Sequence, residues 1–208
     1  MKDKLVILGG GGHAKVLIDA IESSAGPSIA GILDPSLRKG KRISGYPVLG
    51  SDDMLAELRD IRLVNGVGTV KACERRKAVF EKCKKKSFVF STVLHPGAYV
   101  AKTAKIGEGV QVLMGAVINA HARIGKDAII NTRAIIEHDC RIGGHAHVAS
   151  GAILGGGVSV GECSHIGMGA KILQGVKIGR NATIGAGAVV TRDVADGKTV
   201  VGIPARER

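Results

Sequence analysis

The stretch Ile118–Ile142, INAHARIGKDAIINTRAIIEHDCRI, repeats with a period of six: Ile118, Ile124, Ile130, Ile136 and Ile142 share one place in the repeat. Stepping outward by six reaches Val112, Ile106 and Val100 on one side. On the other it reaches Val148, Leu154, Val160, Ile166, Ile172, Ile178, Ile184 and Val190, so all sixteen places hold Ile, Val or Leu. The fourth residue after each is small or short, as at Ala122, Ala128, Ala134, Cys140, Ala146 and Ser164. Glycine directly follows the aliphatic residue at 107, 125, 143, 155, 161, 167, 179 and 185. A period of six fits neither a helix nor a plain strand. It fits short strands joined by tight corners, three to a triangular coil, with the branched residue inside and glycine expected to permit the turn. Sixteen hexapeptides make about five such coils, stacked at roughly the 4.8 Å spacing of paired strands. The spacing therefore predicts a β-solenoid over residues 91–208.

The first 90 residues follow a different rule. Lys4 to Leu8 reads as a buried strand, and Gly9-Gly10-Gly11-Gly12 opens a helix running to about Glu22. A second strand, Ile29 to Leu33, ends at Asp34-Pro35. A third, Arg62 to Val67, precedes a charged helix from about Ala72 to Lys86. This order, read as β-α-β-α-β-α, predicts a small Rossmann-like parallel sheet. Gly9, Gly11 and Ala14 partly match a dinucleotide fingerprint, in which backbone N–H groups at the helix start face a phosphate. Asp34 stands where an acid can meet a ribose hydroxyl. Some 90 residues supply only one mononucleotide-binding half, so the loop suits a nucleotide sugar or a structural turn better than NAD.

Composition narrows the class. With 31 Gly, 2% aromatic residues and no Trp, the core must be closed by aliphatic and small side chains. The formal charge of +12 favours anionic partners. The only dense basic run, Lys82 to Lys86, lies on a helix and lacks aromatics for stacking bases, so phosphorylated small molecules fit better than nucleic acid. Cys73, Cys83, Cys140 and Cys163 show no framework spacing, and no apolar run is long enough for a signal peptide or a bilayer span. A cytoplasmic location and no membrane insertion are the expectations.

One segment carries acid–base chemistry. Ile136-Glu137-His138-Asp139-Cys140 sets a histidine between two acids. An imidazole titrates near neutrality, and an adjacent carboxylate can fix its tautomer. On the residues alone, His138 is either such a base or an exposed histidine that the corner tolerates. Asn131 is either a substrate contact or a turn residue. His147 and His165, eighteen residues apart, occupy equivalent places in neighbouring coils.

The hexapeptide pattern resembles that of the acyltransferases folded as a left-handed β-helix. The two halves together resemble a narrower family, the sialic acid O-acetyltransferases and UDP-4-amino-sugar N-acetyltransferases. The resemblance rests on Gly9-Gly10-Gly11-Gly12-His13, on Asp34, on Gly66-Val67-Gly68, on the Glu-His-acid-Cys segment and on the close Val201-Gly202-Ile203-Pro204-Ala205-Arg206. It implies an acetyl-CoA-dependent homotrimer with active sites between adjacent subunits. It implies that Gly10, Gly11, Gly12, His13, Asp34, Gly66, Gly68 and Asn131 hold the nucleotide sugar, and that His138 is the base with Asp139 its partner. It places His147, Met168, Gly185 and Ala186 against acetyl-CoA, and leaves Cys140 as packing. Some relatives carry Glu at the place of Asp139.

The leading expectation is N-acetylation of a UDP-linked 4-amino sugar without a metal. O-acetylation of a sialic-type acid and a non-catalytic binding solenoid are the alternatives. A further one is a zinc enzyme like the β-helical carbonic anhydrases, prompted by the closeness in sequence of His138, His145 and His147.

Overall fold

A computed structural model describes residues 4–24, 26–69 and 73–208. β1 (Lys4–Leu8) is buried after its first residue, as a strand covered on both faces should be. It leads through the glycine loop into α1 (Gly12–Glu22), whose Ala14, Leu17, Ile18 and Ile21 face inward. β2 (Ser28–Leu33) pairs parallel with β1. No helix follows β2. The chain makes a hairpin of β3 (Arg42–Ile43) and β4 (Tyr46–Gly50), then a 3₁₀ turn over Asp52–Ala56. The helix implied by a strict β-α alternation is thus replaced by a sheet extension. The segment is turn-rich, and Gly40 and Gly45 take left-handed φ, which a helix would refuse.

β5 (Ile61–Asn65) completes the order β3-β4-β2-β1-β5. α2 (Glu74–Lys85) follows. The start expected for that helix, at about Ala72, lies outside the described residues.

From Val93 to Val190 the chain winds in two-residue strands six residues apart, and with Thr199–Val201 and an antiparallel final strand, Arg206–Glu207, these form three sheets of six, five and eight strands. The register advances by eighteen, as in Ile118↔Ile136 and Ile124↔Ile142 in their pairs with the next coil. The second residue of each strand points inward, and with the small fourth residues it fills a core in which Ile118, Ile130, Ile136, Cys140, Ala146 and Leu154 are fully buried.

The glycines after the aliphatic residues have a different task from the one expected. None has a positive φ; the left-handed residue comes three places after the aliphatic one, as at Gly109, His121, Asp127, Asp139 and His145. What excludes a side chain at Gly125 and Gly143 is the next coil. A Cβ there would stand 2.6 Å from the N of Gly144 and 2.5 Å from the N of Glu162. Backbone contact between coils, not the turn itself, demands glycine.

The α/β unit docks on the eight-stranded sheet and on its corner with the five-stranded one. Arg76 of α2 and Asp127 of the solenoid form an ion pair at 2.7 Å, both side chains fully buried. Three more exposed pairs, Lys77–Glu162, Lys84–Glu108 and Lys126–Glu81, run along the same helix. Cys73 and Cys163, whose Cα atoms are 5.3 Å apart, are joined as a disulfide that the spacing of cysteines did not announce.

Candidate active site

Two groups of functional side chains emerge, on different sides of the solenoid. The first is the corner between the six- and five-stranded sheets. There His138 Nδ1 and Asp139 Oδ2 are 2.8 Å apart. Asp139 sits in the left-handed place of the turn (φ 59°), which aims its carboxylate back at the preceding ring. The hydrogen bond from His138 holds the Asp139 carboxyl below its ordinary range. A carboxylate only accepts, so Nδ1 carries the proton and Nε2 presents its lone pair to solvent. That is the arrangement of a general base.

Gly156, one coil further, is why the ring fits. A Cβ at 156 would stand 2.6 Å from His138 Nε2. Glycine in the repeat is too common to single out this one, so its role was not legible. Cys140 lies behind the corner, buried, its Sγ donating to the carbonyl of Gly155 at 3.2 Å. Burial pushes the thiol up to about 11, which keeps it from serving as a thiolate nucleophile near neutrality.

The second group surrounds a pocket of about 710 Å³ between the α/β unit and the solenoid. Gly11, Gly12 and His13 from the start of α1, Asp34 after β2, and Gly66 and Gly68 after β5 line one wall. Asn131 and His147 line the other. Seven of the eight residues expected to hold the nucleotide sugar thus meet at one cavity, although they span more than 120 residues of chain. Gly10 faces elsewhere: a Cβ there would meet Leu37 and Ile43, and its N–H is given to Asp34 Oδ2 at 2.7 Å.

Asp34 is already engaged. Besides Gly10, the backbone and hydroxyl of Ser36 donate to its Oδ1 at 2.8 and 2.6 Å. Burial opposes its charge, but these bonds outweigh it and hold the carboxyl below its usual value. Gly11 and Gly12 have open space where a side chain would be.

His147 is committed at both nitrogens. Its Nδ1 is 2.8 Å from the carbonyl of Thr69, so it donates there. Asn131 Oδ1 accepts from the N–H of Thr132 at 2.8 Å, which turns its Nδ2 toward His147 Nε2 at 3.1 Å. His147 thus bridges the end of β5 to the solenoid, edge-on to His165 at 4.9 Å between ring centroids. Burial and the neighbouring His165 push His147 down to about 3, so it stays neutral. It lies in the pocket wall.

Met168, Gly185 and Ala186 do fall in line with this pocket. They occupy the corner between the eight- and six-stranded sheets, one and two coils beyond Ser150 of the pocket wall. His145 belongs to neither group. It is buried, its Nδ1 2.9 Å from Asp127 Oδ2, in the junction sealed by Arg76. His138, His145 and His147 therefore lie on three different parts of the solenoid and share no centre within the chain. Among the described residues no cluster of three His, Cys, Asp or Glu is placed to hold a metal ion.

Sequence reading missed Gln111, Asn65, Arg76 and Asp127, whose side chains join the two halves beneath the pocket. None of them announced itself: Gln111 holds the outward place of its strand, as Lys105 and Arg123 do, and is buried beneath the α/β unit.

Comparison with known proteins agrees with both halves. Residues 4–83 match the PglD N-terminal domain model, residues 133–174 the hexapeptide repeat of succinyl-transferase, and residues 157–192 the bacterial transferase hexapeptide of six repeats. A histidine-to-asparagine mutant of perosamine N-acetyltransferase from Caulobacter crescentus, solved with CoA and GDP-perosamine, is 39% identical. The match covers 98% of this chain and 96% of that one, with a TM-score of 0.91. The acetyltransferase domain of PglB from Neisseria gonorrhoeae FA1090, solved with acetyl coenzyme A, is 33% identical over all of both chains, with a TM-score of 0.93. UDP-N-acetylbacillosamine N-acetyltransferase of Bacillus subtilis (strain 168) is 36% identical over 112 residues, and the match spans about half the length of that curated relative. With its repeats, its α/β unit and these full-length likenesses, the chain belongs to the hexapeptide-repeat acyltransferases of the sialic acid O-acetyltransferase and UDP-4-amino-sugar N-acetyltransferase family.

Proposed function

We propose that the chain transfers the acetyl group of acetyl-CoA to the amine of a nucleotide-linked amino sugar, with His138 Nε2 as the general base. The observation that carries this reading is the His138–Asp139 pair, 2.8 Å apart on an exposed corner with Nε2 left open. The amine nitrogen attacks the thioester carbonyl while His138 Nε2 takes an N–H proton. The tetrahedral intermediate collapses with loss of the C–S bond. The imidazolium then returns the proton to the departing CoA sulfur. Asp139 holds the tautomer and stabilises the imidazolium. The pocket at Gly11, Gly12, His13, Gly66, Gly68 and Asn131 receives the nucleotide sugar, and the corner at Met168, Gly185 and Ala186 receives the CoA arm. The relatives' substrates, one UDP-linked and two GDP-perosamine complexes, support a nucleotide sugar without choosing the base.

The working form in this reading is a homotrimer. The six-stranded sheet is flanked by the pocket corner on one edge and the His138 corner on the other. Its outward residues include Tyr99, Val117, Ile135, Ile153 and Val189, and Met168 and Leu173 stand exposed along its edges. Apart from Lys171, this face is apolar and suits burial against a neighbour. Packing it there brings the pocket of one subunit to the His138 of the next, whereas within one chain the two edges face apart. No helix among the described residues is long and apolar enough to cross a membrane. The intracellular co-substrate supports a cytoplasmic reaction.

The test is release of CoA, followed with a thiol reagent, from acetyl-CoA mixed with a panel of UDP- and GDP-linked amino sugars and sialic acids. Turnover on an amino sugar, lost in His138→Ala, is expected. Turnover on a sialic acid alone would replace N-acetylation by O-acetylation. Acetyl-CoA that neither binds nor reacts would leave only a binding solenoid.

A further inference from the structure

His13 closes the glycine loop at the start of α1 and looks into the pocket. In a protein of such positive charge, a histidine there invites reading as a cation for a diphosphate. Its surroundings say otherwise. His13 Nε2 stands 2.7 Å from Oε1 of Gln111, which reaches up from the eight-stranded sheet.

The orientation of that amide is fixed by its other end. Gln111 Nε2 donates to the main-chain carbonyl of Asn65 at 2.8 Å, in a fully buried place. The same carbonyl accepts from Arg76 Nη1 at 3.0 Å. The Asn65 side chain is anchored in turn, its Nδ2 donating to the carbonyl of Arg76 and to Asp127. Flipping the Gln111 amide would set oxygen against oxygen at the Asn65 carbonyl in a site closed to water, at a cost of about 1–3 kcal/mol for the lost partner. Oε1 therefore faces His13, and an acceptor there requires N–H on Nε2. A neutral imidazole has one N–H, so its Nδ1 bears a lone pair, and no partner meets it among the described residues.

We propose that Gln111 is a positioning residue that fixes His13 as the Nε2–H tautomer, so that Nδ1 accepts a hydrogen bond from a hydroxyl or N–H of the nucleotide sugar. The inference rests on the nucleotide-sugar reading of the pocket and adds which kind of ligand atom meets this wall. The charges around the ring agree. Burial, and then the Arg76 guanidinium of α2, push His13 down to about 4, against which the Gln111 bond acts only weakly. His147 on the opposite wall is neutral as well, and Asp34 and Arg75 complete the lining. A neutral acceptor repels a phosphate oxygen and favours a donor. The solenoid thereby sets what the α/β unit recognises.

Long-range ¹H–¹⁵N spectra of the full-length protein, labelled at histidine, read the tautomer directly between pH 5.5 and 8.5. His13→Asn identifies the signals. An unvarying Nε2–H ring is expected, with Nδ1 shifting to a hydrogen-bonded value on saturation with UDP- or GDP-linked amino sugar. A charged ring at pH 7, a proton on Nδ1, or an Nδ1 signal unmoved at saturation overturns the proposal. Gln111→Met should yield a mixed tautomer and about tenfold weaker nucleotide-sugar binding with unchanged acetyl-CoA binding, the scale of one neutral hydrogen bond. A single, unaltered tautomer in that variant also overturns it. If Gln111→Met does not fold, Gln111→Glu keeps an acceptor and adds a charge. His13 should then titrate near neutrality, and a ring that stays neutral throughout counts against the proposal. Binding of neither sugar with the expected tautomer intact would instead defeat the nucleotide reading, and the ligand contact with it.

Discussion

The corner that carries His138 and the junction that carries His13 and His147 are both built around imidazole, and they treat it in opposite ways. At the corner the ring is exposed, paired with a carboxylate and free at Nε2. At the junction the rings are half-buried, near a guanidinium or another imidazole, and pushed down to about 4 and about 3. Proton transfer near neutral pH needs the first environment. Recognition by fixed donors and acceptors needs the second, because a group that does not titrate presents the same face at every working pH. In the proposed reaction the same residue type thus divides into a chemical and a reading role according to what surrounds it.

The comparison breaks most visibly at the base. His138→Ala should cost roughly 10²–10⁴ in kcat, the range for a positioned general base, with nucleotide-sugar Kd nearly unchanged by calorimetry. An equal loss in both would erase the division. Gly156→Ala probes the same corner without touching the imidazole. Its Cβ claims the space of Nε2, so the ring must swing away. Misplacement by about an ångström predicts a kcat loss of about 10²-fold, with the melting temperature unchanged because the displaced ring is exposed.

At the junction the largest effect falls on stability. Arg76→Met strands Asp127 in a site closed to water, and about 3–5 kcal/mol of unfolding free energy should be lost in denaturant titration. Lys77→Met, at an exposed pair on the same helix, should cost less than about 1 kcal/mol.

The smallest effect is a slope. His13 and His147 have folded pKa values below the 6.5 of the unfolded chain. Above about pH 6.5 neither state takes the proton and nothing is lost. As pH falls toward 4 the unfolded chain binds protons that the folded one refuses, so stability declines across that window. The melting temperature should drop with it, by roughly 2–4 °C per kcal/mol. His147→Asn should flatten the decline.

What could be read in advance follows from how each part is encoded. The solenoid is written in a local code: Ile136 or Ala146 does the same work as its counterpart eighteen residues away, so repetition reveals it. The pocket was legible as pieces, because the glycine loop, Asp34 and Gly66-Val67-Gly68 each end a strand. The junction was not. Arg76 looks like any charged residue of a surface helix, and only the folded chain brings it to Asp127, 51 residues on. The segment between β2 and β5 misled for a related reason, since alternation of strand and helix is a habit of such sheets that a turn-rich stretch can decline. The glycines were found but assigned the wrong duty, because a period in one coil carries no sign of contact with the next.

That contact between coils makes the solenoid a ruler. Each corner from Gly109 to Gly187 turns on a residue of left-handed φ, so nothing but residue identity marks the one at His138 as special. Moving Glu137-His138-Asp139-Cys140 by eighteen residues would carry the reactive nitrogen along the axis by one strand spacing, about 4.8 Å, and leave its orientation untouched. In the proposed reaction, the reach from the pocket to the attacked amine is therefore adjusted only in whole steps of that length, with finer tuning left to the sugar.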